Sequence, residues 1–133
     1  MATTPRTFIS FDFDNNSTHK MLFAGQAKNS KTPFEIADWS SKEALPQATW
    51  QTQVSLKVSK CHIMIVLVGK SAVNADGIKE EIEMAVSHQI PYFGVYVDGA
   101  NSLTQLPIGL ARNKVIAWDW DHIAQAIETV MKE

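Results

Sequence analysis

Residues 61–88 read CHIMIVLVGKSAVNADGIKEEIEMAVSH, and the fold turns on them. Residues 62–68 are almost all Ile, Val, Leu and Met. A short β-branched apolar run closed by a glycine has the pattern of a strand buried on both faces in a parallel sheet. After Gly69 a polar loop runs through Asp76, and residues 78–89 take helical spacing. Strand, loop and returning helix make half of a βαβ unit. In open α/β sheets ligands bind at the carboxyl ends of the strands, which here means the loop.

The helix carries three acids, Glu80, Glu81 and Glu83. In steps of ~100° from Ile78, Ile82 falls at ~40°, Ala85 at ~340°, Val86 at ~80° and Gln89 at ~20°. The inward face then centres near ~20°, with Glu80 at ~200° and Glu83 at ~140° pointing to solvent. Glu81, at ~300° and in the first turns, sits on the shoulder, where it reaches both the crevice and its water. Its ordinary reading is a solvated boundary carboxylate favoured by the helix dipole. Its functional reading is a carboxylate at the mouth of a pocket.

Outward from this stretch, residues 7–13 (TFISFDF) form a first strand that ends in a polar loop. Residues 19–28 form a first helix, residues 34–38 (FEIAD) a second strand and residues 39–46 a loop. Trp50, Val54 and Val58 recur every four residues and place a helix over 48–58. Residues 91–97 (PYFGVYV) and 114–117 (KVIA) are further strands. Ile123, Ala126, Ile127 and Val130 line a last helix, capped by Asp119 or Asp121. The alternation predicts one α/β domain over residues 1–133, a flavodoxin-like, doubly wound, parallel five-stranded sheet of order 2-1-3-4-5. In that order the loops after Phe13 and Val68 border one crevice.

Several classes drop out. A net charge of −2 provides no basic stripe for nucleic acid. The single cysteine, Cys61, leaves no disulfide framework and suits a small buried hydrophobe. His19, His62, His88 and His122 lie in separate elements without metal-ligand spacing. No apolar run approaches the ~18–20 residues of a membrane helix, and MATTPRTF lacks a signal-peptide pattern, so a cytoplasmic protein is expected. Gly69-Lys70-Ser71 imitates the end of a phosphate-binding loop, yet Met64 stands where its first glycine belongs. No G-x-G-x-x-G follows the first strand. Val68-Gly69 ends the third strand where a phospho-receiver domain would need an aspartate.

FISFDFD in the first strand, IMIVLVG in the third, and KEEIEMAVSHQIPYFGVYV beyond it resemble Toll/interleukin-1 receptor (TIR) domains. More closely, they resemble the TIR-like family of Thoeris antiphage defence, over residues 7–97. The resemblance implies a TIR-like fold that cleaves NAD+ at the nicotinamide–ribose bond. The ribose carbon is then captured by water to give ADP-ribose, or by another hydroxyl of the same molecule to give a cyclic ADP-ribose isomer. That isomer would signal to a separate effector protein. The resemblance also implies self-association through TIR surfaces. NAD+ is then substrate, and neither cofactor nor metal is expected. The family's essential glutamate lies in an E-I-x-x-A/S segment, here Glu81-Ile82-Glu83-Met84-Ala85, which makes Glu81 the catalytic candidate. Ser10, Asp12, Phe13 and Asp14 at the first strand's end, Trp39 and Ser40 after the second, and Lys70 are candidate substrate contacts. Where many members carry a Ser-x-x-Trp segment before the glutamate, this chain has Asn74-Ala75-Asp76-Gly77. Two other readings stay open: a non-catalytic TIR adaptor, and a nucleoside deoxyribosyltransferase-like enzyme.

Overall fold

The structure is a computed structural model that describes residues 5–29, 34–40 and 47–132. In chain order the elements are β1 (Arg6–Ser10), α1 (Phe13–Asn29), β2 (Glu35–Trp39), α2 (Gln47–Ser59), β3 (Ile63–Val68), α3 (Asp76–Ser87), β4 (Tyr92–Tyr96), β5 (Val115–Ile116) and α4 (Trp120–Lys132). The strands pair in parallel in the order β2-β1-β3-β4-β5, as the pattern predicts.

All six residues of β3 are buried. Met64, Val66 and Val68 pack with Phe8 under Val54 and Val58 of α2 and Ile78 and Ile82 of α3. Ile63, Ile65 and Leu67 pack on the other face with Ile9, Phe23 of α1, Phe93, and Ile123 and Ile127 of α4. Helices cover both sides of the sheet, which is why its central strand is apolar at every position.

The boundaries differ from expectation where backbone chemistry overrides side-chain pattern. β1 stops at Ser10 instead of running to residue 13. The Asp12 carbonyl accepts the amides of Asn15 (3.2 Å) and Asn16 (2.7 Å), turning the chain into α1 six residues before residue 19. Asn16 breaks the helical geometry there (φ −125°, ψ 19°). At the other end of the sheet, α3 stops at Ser87 because Gln89 adopts φ 58°. The Gln89 amide bonds Val86 O and the Ile90 amide bonds Ala85 O, the two bonds of a Schellman ending. Asp119 rather than Asp121 caps α4, accepting the His122 amide through Oδ2.

β2 contains the feature that matters most for the site. Its register against β1 passes from Thr7↔Ile36 to Phe8↔Asp38, leaving Ala37 as an extra, bulged residue. A bulge reverses the alternation of side chains beyond it. Ile36 packs on the α1 and α4 face. Two residues on, Asp38 faces α2, with Lys57 Nζ 3.9 Å from its Oδ1.

Candidate active site

Glu81 projects from α3 toward the carboxyl ends of β1 and β2, and none of its surface is exposed. The shoulder position expected to touch water is covered. Two of the residues that set the expected inward face do not face inward: Val86 is 59% exposed and Gln89 lies beyond the helix. The helix is rolled so that Ile78, Glu81, Ile82 and Ala85 are its buried set.

Two hydroxyls meet one oxygen of this carboxylate. Ser10 Oγ donates to Glu81 Oε1 at 2.6 Å, and Ser40 Oγ donates to the same atom at 2.5 Å. Ser10 is the last residue of β1, on the same face as Phe8. Ser40 follows β2, and the bulge at Ala37 is what turns it to this face. Ser40 Oγ also accepts the Phe11 amide at 3.0 Å. The second oxygen, Oε2, is buried and has no hydrogen-bond partner among the described residues. Burial pushes the Glu81 pKa up to about 7; the two serine hydroxyls pull it back, Glu80 adds to the rise and Lys57 opposes it. A carboxyl poised near neutrality can hold or release a proton under ordinary conditions.

The other sequence candidates are distributed around this pair. Asp12 is buried; its Oδ2 accepts hydrogen bonds from Asn15 Nδ2 and Ser71 Oγ, both at 2.7 Å. The loops after β1 and β3 therefore meet at the switch point of the sheet, as strand order 2-1-3-4-5 requires. Phe13 and Asp14 open α1, and their side chains lie outside the described residues, as do residues 41–46. Trp39 is the last residue of β2 and not part of a loop; its ring faces α1, with Lys20 Nζ 3.7 Å from its centroid. It belongs to the face opposite Glu81. Lys70 is exposed, its side chain running toward Gly99.

The sequence reading missed Ser71, noticed only as part of an imitation phosphate loop, and Asn16. A Cβ on Gly69 would stand 2.5 Å from Asn16 Oδ1, so a glycine at the end of β3 lets α1 approach this closely. Neither contact has a signal in the spacing of the chain. Among the described residues no group of His, Cys, Asp and Glu is arranged to hold a metal ion, and no helix is long and apolar enough to cross a membrane.

The five-stranded parallel sheet in this order is the fold expected of a TIR-like domain, and a family model places the chain among such domains. More narrowly, the chain belongs to the family of the Thoeris protein ThsB, TIR-like domain, whose model matches residues 8–102. Among solved structures it resembles a prokaryotic SEFIR domain, with TM-score 0.57 and 13% identity over 96% of each chain, a likeness of fold. The TIR domains of the activated Roq1 resistosome, which directly recognises the pathogen effector XopQ, align at TM-score 0.47 and 10% identity over 69% of this chain. The alignment takes in 57% of the length of that resistosome chain. No curated protein matches the sequence.

Proposed function

We propose that this TIR-like domain cleaves NAD+ at the nicotinamide–ribose bond, with Glu81 as the carboxylate against the reacting ribose. The observation that supports it is the pairing of one anchored oxygen with one unpartnered oxygen on a buried carboxyl at the ligand-binding edge of the sheet. In the reaction the C1′–N bond breaks and its electron pair stays on the pyridine nitrogen, so nicotinamide leaves neutral. Oxocarbenium-like positive charge develops on the ribose. An anion held in a site of low polarity stabilises that charge more than it stabilises the ground state. Capture of C1′ by a hydroxyl oxygen of the same nucleotide forms the new bond and releases one proton. The product is a cyclic ADP-ribose isomer, suited to carry an antiphage signal to a separate effector. Capture by water would give ADP-ribose instead.

Because Glu81 has no exposed surface, its free oxygen meets a ribose only when the cover over it moves. The assay therefore includes a trigger. Purified protein is incubated with NAD+, with and without lysate from virus-infected cells, and the products are read by mass spectrometry. Nicotinamide release is expected, and Glu81→Gln is expected to abolish it while the circular dichroism spectrum is unchanged. Equal release by the variant would remove Glu81 from the chemistry.

The same complete burial favours a second reading, an interaction domain in which Glu81 is a strut between α3 and the strand ends. That reading predicts no NAD+ consumption under any of these conditions. It also predicts that self-association survives in the Gln variant.

A further inference from the structure

Ser40 is held from three directions. Its amide donates to Ile9 O at 2.9 Å, its hydroxyl oxygen accepts the Phe11 amide, and its hydroxyl proton goes to Glu81 Oε1. Ser10 reaches the same oxygen from the neighbouring strand. Both serines are almost wholly buried, Ser10 at 0% and Ser40 at 4% exposure. Their hydroxyls are thus committed to the carboxylate, and the atom they leave open is Oε2.

We infer that Ser10 and Ser40 are positioning residues, holding Glu81 through Oε1 and reserving Oε2 for a ligand hydroxyl. The inference rests on the reading of Glu81 as the carboxylate of an NAD-cleaving site. It departs from the expectation that these serines touch substrate. The bulge at Ala37 is part of the device, since strict alternation along β2 would put Ser40 on the α1 face. Two hydroxyl donors on one oxygen favour the ionised carboxyl, as hydrogen bonds to a charged form do. The charged groups acting on Glu81 are Glu80 of its own helix, which disfavours the anion, and Lys57 of α2, which favours it. Lys57 is shared with Asp38 of β2, while β1 contributes the neutral Ser10. A ligand hydroxyl donating to Oε2 adds a third donor, so ligand binding drives Glu81 toward its anion and releases a proton.

The test reads the carboxyl directly. Protein labelled with carbon-13 at the glutamate carboxyls is titrated by NMR from about pH 5 to 9, the Glu81 signal being assigned by its loss in Glu81→Gln. The variants are Ser10→Ala, Ser40→Ala and Ser40→Thr. Either alanine variant is expected to raise the Glu81 midpoint by about one pH unit, the amount expected for losing a hydrogen bond to a charged group. Ser40→Thr, which keeps the hydroxyl, is expected to restore it. For NAD+ cleavage the alanine variants lower kcat at pH 7 by up to about tenfold, leave KM nearly unchanged, and regain activity near pH 9. Unmoved midpoints in both folded alanine variants would overturn the inference, whatever the activity. Moved midpoints in a protein that never consumes NAD+ would leave the positioning role standing and remove the proposed reaction.

Discussion

A carboxyl group with no exposed surface makes its burial felt in the pH dependence of the whole protein. The folded pKa of Glu81 lies at about 7 and the ordinary value at 4.5, so below 4.5 both folded and unfolded chains carry the proton and burial has no ionisation cost. As pH rises from 4.5 toward 7 the unfolded chain ionises freely while the folded one is held protonated, and stability falls. The whole loss is about 3 kcal/mol, complete above pH 7. Glu81→Gln removes this dependence. In urea denaturation the variant is expected to gain most of that amount relative to the parent between pH 5 and pH 8. A constant difference across the range would mean that the carboxyl titrates normally. That Glu81 turns toward the sheet, while Glu80 and Glu83 do not join the buried set, was legible in helical spacing. Its full burial was not, because what covers it is the end of β1 and the residue after β2, and spacing within one helix contains neither.

At the scale of elements, sequence pattern located each α-helix and strand among the described residues, and their ends were settled by backbone bonds. The Trp50, Val54, Val58 stripe and the Ile123, Ile127, Val130 face lie inward, as expected from their spacing. The bulge in β2 had no such trace. Glu35-Ile36-Ala37-Asp38-Trp39 alternates weakly, and one inserted position decides whether Ser40 joins Glu81 or faces α1. The end of α3 has a consequence of its own. Gln89 sits at φ 58°, a conformation that crowds any side chain with a Cβ, while Ile90 packs into the core behind it. Glycine suits this position of a Schellman ending. Gln89→Gly is therefore expected to stabilise the fold by about 0.5–1 kcal/mol, the strain relieved exceeding the entropy gained by the unfolded chain. Thermal and urea midpoints would both rise. A fall would show that the Gln89 side chain makes contacts worth more than the strain.

For the whole molecule, the alternation of strands and helices, with helices on both faces, fits the flavodoxin-like order 2-1-3-4-5, and the strands pair in that order. A strand apolar at every position lies mid-sheet, covered by helices on both faces. The two cores that result, one beneath α2 and α3 and one beneath α1 and α4, share β3 as their common wall. Cys61 reports on that wall. It is the chain's single cysteine, 6% exposed, packed with Val54, Val58 and Met64, and its Sγ–H donates to Lys57 O at 3.5 Å. Burial first, and the charge of Asp38 second, push its pKa to about 11, against the pull of Arg6. At pH 8 roughly one thiol in a thousand is then ionised, and the thiolate is the reactive form. Labelling by a thiol reagent therefore waits for the protein to open. The native chain is expected to label slowly, at a rate that climbs with urea along the same slope as global unfolding followed by circular dichroism. A labelling rate insensitive to urea would show instead that the last turn of α2 frays by itself, exposing Cys61 without separating the two cores.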